Sequence, residues 1–400
     1  MTSSAVDTRL STAVRAVYVA FSGSGLAFAS FASRIPQVRD RLEVTPGQLG
    51  LVLLCIAVGS MIAIPSSGLV VARIGEARTV AIMSLILSAG IAIIAIGYTV
   101  GVVPVAGGLF LMGFGNGAWD VAMNVQGALV ERRLGRSIMS RFHAGFSLGT
   151  VAGAGIGALM VAAHVPVTAH LLGVAVLVAA LVPAAALRGF LPHVVQQHRR
   201  ESRRDVLAAW REPRTLLIGL FVLCMAFTEG AGNDWLGVGV IDGYHASATL
   251  GTVALAVFLI AMTTGRWFGP GLLDRYGRVP VLRVSALLAF AGLVVVVWGH
   301  VVPLALAGAA LWGLGTALGF PTGISAASDE PRRAAARVSV TASVAYLAFL
   351  AGPPLIGLVG DHLGVLRALL AVAGLLVVAL LVSGACAPLR DSQAVSVAGD

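Results

Sequence analysis

The chain contains few of the residues on which a soluble enzyme depends. Only 11% of its 400 residues are charged, lysine is absent, and its three cysteines lie more than 150 residues apart without a CxxC pair. That spacing predicts neither a disulfide nor a metal site. A P-loop, an HExxH motif and a GxGxxG turn between strand and helix are also missing, so nucleotide hydrolysis and metal catalysis are not supported. We expect no cofactor and no enzymatic activity.

Apolar residues dominate instead, at 58% of the chain, with a mean hydropathy of +0.93. They are grouped in stretches of roughly 20 residues, long enough to cross a hydrocarbon core of about 30 Å. Lipid offers no water to open backbone groups, so each stretch should be a helix. The sequence predicts an all-α membrane protein with 12 transmembrane helices, at 13–33, 46–71, 79–98, 104–130, 138–162, 167–187, 215–240, 247–269, 280–299, 302–326, 338–360 and 364–387.

The formal charge of +9 comes from arginines whose distribution follows the predicted topology. With a cytoplasmic N-terminus, only Arg34, Arg39, Arg41 and Arg367 fall on the outer side, as the positive-inside rule requires. Nucleic acid is not needed to explain the charge. We predict a bacterial inner-membrane protein with both termini in the cytoplasm, acting as a monomer in contact with lipid.

Two halves repeat with a period of about 200 residues, the scale on which transporter halves repeat. Gly113-Phe-Gly115 matches Gly313-Leu-Gly315, and Arg73-Ile-Gly75 matches Arg275-Tyr-Gly277. We predict a six-helix bundle over 1–187, a cytoplasmic loop over 188–214 and a second bundle over 215–400 with a short tail. The loop carries four arginines, Arg199, Arg200, Arg203 and Arg204, interpreted as a solvated connector near anionic headgroups.

Two carboxylates lie deep within predicted spans, Asp120 in the fourth and Glu229 in the seventh. Charges at that depth are costly, so each is a functional hypothesis by default. Each has an asparagine one turn on, at Asn124 and Asn233, and Asn116 extends the first pair into a polar stripe. These positions predict sites for a proton and a solute.

Aromatic and basic residues near the carboxylates extend the predicted site. Trp119 and Trp235 offer rings on which a sugar could stack. Arg34 could bind an anionic cargo or simply flank the first helix, and His143 could relay protons or pack a helix end. Arg266 at the end of the eighth span is expected to pair with Asp274 in a structural role.

The loop residues Asp274-Arg275-Tyr276-Gly277-Arg278 resemble the Gly-x-x-x-Asp-Arg-x-Gly-Arg signature of the major facilitator superfamily, with Pro270 at the leading glycine. The first-half copy keeps Gly68, Arg73 and Gly75 but has Ala72 and Glu76 in place of the acid and the last arginine. The resemblance implies a charged cytoplasmic latch, resting here on Asp274, Arg275 and Arg278. It also implies two six-helix bundles around a central cavity lined by spans 1, 4, 7 and 10.

Asp120-Val-Ala-Met-Asn124 is similar to a segment in helix 4 of the fucose permease branch, whose carboxylate binds a proton and sugar. Ala32 stands where that branch has a second acid. A closer resemblance is to the group containing the rhizopine-cluster membrane protein of rhizobia, through Ser33-Arg34-Ile35-Pro36, Gly115-Asn116-Gly117, Phe142-His143 and Asp234-Trp235. That group implies an inositol-like or sugar-like cargo.

We therefore predict a secondary active transporter that moves a small polar solute with protons by alternating access. One alternative is a proton-antiport exporter of drugs or metabolites, favoured by the apolar, methionine-containing walls expected for the cavity and by the row of Gly145, Gly149, Gly153 and Gly157 in the fifth span. Another is a membrane enzyme or a transporter-like sensor.

Overall fold

The computed structural model describes residues 3–134, 138–192, 207–330 and 333–389. Helices, with no strand, make up the regular structure of these ranges, as predicted. They are α1 (Ser3–Ala32), α2 (Ile35–Leu42), α3 (Pro46–Gly97), α4 (Val102–Leu134), α5 (Met139–Ala162), α6 (Val167–Gly189), α7 (Pro213–Tyr244), α8 (Ala248–Tyr276), α9 (Arg278–Trp298), α10 (Val302–Thr316), α11 (Gly319–Ala327), α12 (Ala334–Leu363), α13 (Val365–Ala368) and α14 (Leu370–Val382), followed by a 3-10 turn (Ser383–Cys386). The four arginines predicted to mark the central loop lie outside the described residues.

Helix α3 contains two of the predicted spans. Its 52 residues would extend about 78 Å if straight, more than twice the hydrocarbon thickness. Gly75 interrupts it with φ 79° and ψ 164°, a conformation open to glycine because it lacks a Cβ. Eleven helical segments of the described residues are long and apolar enough to cross a membrane. Counting α3 twice gives the predicted twelve.

The backbone carries the predicted repeat. Every residue with a positive φ in the described chain has a counterpart 199–202 residues away in the other half. Each pair stands at a junction between helices, where a left-handed residue turns the chain. The pairs are Glu43 with His245, Gly75 with Gly277, Gly101 with His300, and His164 with Gly364.

Glycines bring helices into backbone contact at matching places in the two halves. A Cβ on Gly90 would lie 2.6 Å from the carbonyl oxygen of Gly108, which joins α3 to α4. A Cβ on Gly308 would lie 2.7 Å from the carbonyl oxygen of Gly292, which joins α10 to α9. Small residues allow such close approach between membrane helices.

The chain divides into two compact units. The first consists of Met1–Gln196 with Ser247–Leu259, and the second of Gln197–Ala246 with Ile260–Asp400. In the first unit α4 packs against both segments of α3 and against α1, and α1 packs on α5 and α6. In the second, α7 packs against α10, α11, α12, α13 and α14.

Candidate functional site

The polar stripe predicted on α4 lies on an open face of that helix. Asp120 is exposed, and Asn116 and Asn124 are half-buried, whereas Trp119 and Met123 on the other faces are buried. The Oδ1 atom of Asn116 accepts a hydrogen bond of 2.8 Å from Ser24 of α1. This bond joins the edge of the stripe to α1.

Asp120 has an amide neighbour but no cationic one within the described part of the chain. The Nδ2 atom of Asn124 donates to the Asp120 carbonyl oxygen at 2.8 Å and to its Oδ1 at 3.2 Å. The carboxylate lies within about 3 Å, along the axis, of the middle of α4. A charged group exposed at that depth is not stable against lipid, so this face of α4 must meet water, cargo or protein.

The open face of α7 is also polar. Most of this helix is buried, and at mid-length the half-buried positions are Glu229, Gly230, Asn233 and Asp234. These four positions recur at three- and four-residue spacing, so they share one side of the helix. We call them the α7 strip.

Glu229 is not free, because Arg266 of α8 binds it. Both carboxylate oxygens accept from Nη2 of Arg266, at 2.8 and 2.9 Å. Nε of Arg266 also donates, at 3.4 Å, to the carbonyl of Ala317, which lies in the break between α10 and α11. The predicted pairing of Arg266 with Asp274 is therefore wrong. Arg266 binds Glu229 instead of Asp274. Glu229 lies nearer the middle of the membrane-spanning region and accepts two hydrogen bonds of good length from Arg266.

Trp119 and Trp235 are both fully buried within their own units, at 0% exposure. Gly23 of α1 lies against Trp119, since a Cβ there would come within 3.7 Å of the ring. Neither ring has an accessible face on which a solute could stack. The predicted stacking role is not supported, and both residues act as large core side chains.

Arg34 is buried as well, at 2% exposure, and joins the α1–α2 junction to α6. Its Nε donates to Nδ1 of His170 at 2.9 Å, and its Nη2 donates to the carbonyl oxygen of Val165 at 3.0 Å. The guanidinium thus joins the α1–α2 junction to the α5–α6 loop and the first turn of α6. Of the two predicted roles, this geometry supports the structural one. No sequence pattern indicated His170 as its partner.

His143 is exposed on the first turn of α5, with its ring edge-on to Phe21 of α1 at 5.0 Å. The ring contact fits the predicted packing role. A proton relay through His143 stays a prediction.

The predicted latch contains a different acid from the expected one. Arg278 donates to Asp329 at 2.6 Å, and Arg214 donates to the same carboxylate at 2.9 Å. Arg214 also donates to the carbonyl oxygens of Ala385 and Ala387, at 3.1 and 2.8 Å. Asp329 thereby joins Arg214 at the start of α7 to Arg278 at the start of α9. Arg214 in turn joins them to the 3-10 turn (Ser383–Cys386) and the residue after it.

Asp274, on which the latch was predicted to rest, is exposed and makes no hydrogen bond or ion pair with any described residue. Arg275 lies over the ring of Tyr276, 5.2 Å from its centre. Arg73 is exposed, and Gly75 and Gly277 serve as the two matching left-handed turns. Among the expected charged members, Arg278 pairs with Asp329 and Arg266 with Glu229, whereas no ion pair joins Arg73, Asp274 or Arg275 to a residue of the described ranges.

A second ion-pair cluster surrounds Glu212, just before α7. It accepts from Arg337 at 2.6 Å, from Arg333 at 3.0 Å and from Thr215 at 2.9 Å. Partial burial acts to raise the pKa of Glu212, but the hydrogen bonds from Arg337 and Thr215 outweigh it, and the pKa falls below its usual value. Glu212 therefore stays ionised and holds α7 to α12.

The fold and the two open polar faces define a class: a helical membrane protein built from a repeated bundle with polar groups at mid-membrane, which is the design of a secondary transporter. The family model described as Major Facilitator Superfamily matches residues 17–340 and 233–398. The chain belongs to this superfamily, as the sequence motifs implied.

Two relatives are similar over most of their length. An uncharacterized transporter, y4wD, of Sinorhizobium fredii (strain NBRC 101917 / NGR234) is 30% identical over 88% of this chain and 92% of its own. The membrane protein MosC of Rhizobium meliloti is 28% identical over 89% of this chain and 86% of its own.

Solved structures share the fold at low identity. A mutant of the nucleoside transporter NupG has a TM-score of 0.78 at 14% identity, over 94% of this chain and 99% of that one. A mutant of the E. coli fucose:proton symporter FucP has a TM-score of 0.65 at 16% identity, over 94% and 98%. These structures show the shared fold, and the family model with the relative described as a transporter makes the chain a transporter of this superfamily and not an enzyme.

Proposed function

We propose that this chain moves a small polar solute, such as a sugar, a polyol or an inositol-like compound, by proton-coupled alternating access, with Asp120 as the proton site. The observation that carries the proposal is the open polar face of α4. It presents a carboxylate at mid-membrane with an amide partner and no cationic neighbour among the described residues.

An ionised Asp120 is costly in any state that closes it away from water, whereas a protonated one is neutral. Binding a proton therefore changes the relative free energies of the open and closed states. A solute that binds better to one protonation state then moves with the proton gradient. FucP, a fold neighbour, is a fucose:proton symporter, and the resemblance of the Asp120–Asn124 segment to that branch supports the same chemistry.

Glu229 takes a different role in this proposal. Its charge is balanced by Arg266, so a proton has to compete with two charge-assisted hydrogen bonds. The pair instead offers a fixed set of donors and acceptors to solute hydroxyl groups, beside Asn233. We assign Glu229 to binding, and Asp120 to coupling.

We place the protein in the bacterial inner membrane as a monomer, with both termini and the Asp329 cluster on the cytoplasmic side. The support is the arginine distribution, since a cluster containing Arg214, Arg278, Arg333 and Arg337 lies at one end of the second unit.

The alternative of proton-antiport export is supported less by one of its two features, the glycine row of α5. A Cβ on Gly153 would lie 2.6 Å from the carbonyl oxygen of Leu26, and Gly145 faces Tyr18. The α5 glycine row is thus accounted for by close packing on α1.

Transport in proteoliposomes tests the proposal. With purified protein and an acidic exterior, we expect labelled polyol or sugar to accumulate inside and the lumen to acidify with it. Accumulation should collapse when a protonophore removes the gradient. Solute accumulation only when the lumen is the acidic side would establish antiport and refute symport.

A further inference from the structure

The α7 strip contains a carboxylate that the proposed function does not use. Asp234 lies one turn beyond Gly230 and about 8 Å, along the axis, from the middle of α7, which is still inside the hydrocarbon region. It is only half-buried, so a small solute can reach it.

The charges around the strip do not balance. Glu229 and Arg266 neutralise each other at 2.8 Å, whereas Asp234 makes no hydrogen bond or ion pair with any residue in the described ranges. The helices α10, α11 and α14, which pack on α7, contain no charged residue. The ionisable groups at the ends of α12 and α13 are Arg337, Asp361, His362 and Arg367, and the one in the middle of α12 is Tyr346, whose ring centre lies 6.3 Å from that of Phe349. None of them is bound to Asp234.

An accessible aromatic ring lies beside the same strip. A Cβ on Gly230 would lie 3.8 Å from the Cδ1 and Cε1 atoms of Phe349 on α12. Phe349 is 38% exposed, unlike the tryptophans of α4 and α7. Residues one turn apart on a helix have Cβ atoms about 5–6 Å apart, so the Cβ of Asp234 lies within about 10 Å of the nearest ring atoms, a distance that a solute amine can bridge.

A free carboxylate next to an exposed ring suits a cation better than a neutral solute. The carboxylate supplies a charge-assisted hydrogen bond, and the ring face attracts a positively charged nitrogen. A neutral sugar supplies no counter-charge, so Asp234 would have to take up a proton, as proposed for Asp120, or stay ionised inside the membrane at a cost of several kcal/mol by insertion scales. A cationic solute removes that cost by itself.

We infer that the solute carries a protonated amine, and that Asp234 binds this amine against the ring of Phe349. The inference rests on the proposed transport of a small polar solute and narrows its class to amine-bearing sugars, polyols or similar compounds. The hydroxyl groups of such a solute would meet Asn233 and the Glu229–Arg266 pair on the same strip.

Equilibrium binding to purified protein tests this inference independently of transport. The probes are two matched pairs that differ in charge: glucosamine with N-acetylglucosamine, and glucamine with sorbitol. We expect at least one cationic member to raise the melting temperature, and its neutral partner to bind at least about tenfold more weakly.

Substitutions locate the effect. Asp234→Asn should weaken binding of the cation by about tenfold or more, and Phe349→Leu by about two- to fivefold, with the neutral partner unchanged. Asp242→Asn, two turns further along α7, is the matched control and should leave both affinities alone. The melting temperature of each variant without ligand shows whether it is folded.

Equal affinity for the charged and neutral members overturns the inference but leaves transport of a neutral solute standing. A preference for the cation that survives in Asp234→Asn also overturns it, because the amine then binds elsewhere. Failure of every cationic probe to bind the wild-type protein overturns it as well, whatever the transport assay shows.

Discussion

Two arginines of the second unit form ion pairs with acids that are distant in the sequence. Arg266 binds Glu229, 37 positions away, and Arg278 binds Asp329, 51 positions away. In both cases an acid lies nearer in the chain: Asp274 follows Arg266 on α8 and precedes Arg278 by one turn. Asp274 is exposed to solvent, where an ion pair contributes little stability. The pairs that Glu229 and Asp329 make with their arginines are half-buried, so solvent and salt screen their attraction less.

The Asp329 cluster gives a prediction at this scale. Asp329→Asn removes the common carboxylate of Arg214 and Arg278 and leaves two half-buried cations without a counter-charge. We expect a loss of about 2 kcal/mol of stability and a clear fall in transport rate. The melting temperature of the purified variant and its uptake rate in proteoliposomes measure the two effects.

Asp274→Asn is the matched control, because Asp274 has no partner among the described residues. It should melt like the wild-type protein. If Asp274→Asn instead proves the more damaging change, the latch rests on the acid that the sequence motif indicated, and our assignment of Asp329 is wrong.

The partners of these arginines could not be read from the sequence. The depth of Asp120 and Glu229 was predictable, since hydrophobic stretches of known length place them near mid-membrane. The bond between Glu229 and Arg266 depends on how α7 and α8 pack, which one sequence does not determine. The burial of Trp119 and Trp235 likewise depends on helix rotation, and a tryptophan beside a polar residue is equally compatible with a core or a site.

At the scale of helices, the sequence predicted more. The spans and their repeat follow from hydrophobic length and from glycine turns, and the left-handed pairs such as Gly75 and Gly277 confirm the correspondence. The break at Ala317 and Leu318, between α10 and α11, was not predicted. The carbonyl oxygen of Ala317, at this break, accepts a hydrogen bond from Arg266. This is a tertiary contact that no local sequence pattern indicates.

The close packing of α1 on α5 is a second prediction. Gly149→Ala would force a methyl group into the backbone of Ser22, where neither helix can yield. We expect a loss of about 1–3 kcal/mol and a lower melting temperature. Gly155→Ala, on the same helix with nothing within 4 Å of the added Cβ, is the control and should be neutral or slightly stabilising. Equal melting temperatures for the two variants would show that the α1–α5 contact is looser than described.

At the scale of the whole molecule, the two units share a backbone plan but differ in their chemistry. The first unit places Asp120 on an open face with an amide partner. The second carries, on or beside the α7 strip, a neutral ion pair, a carboxylate without a partner among the described residues, and an exposed ring. In our proposal the repeat supplies the architecture, and residues that differ between the two units supply separate sites for coupling and binding.

Comparing Asp120→Asn with the wild-type protein in proteoliposomes tests whether Asp120 carries the proton. Asp120→Asn is permanently neutral, like the protonated acid, so it should retain exchange of labelled for unlabelled solute. It should lose accumulation driven by an acidic exterior, because no proton is bound or released. Glu229→Gln should weaken solute binding more than coupling. If Asp120→Asn vesicles still concentrate solute against its gradient, the proton site lies elsewhere and the account is contradicted.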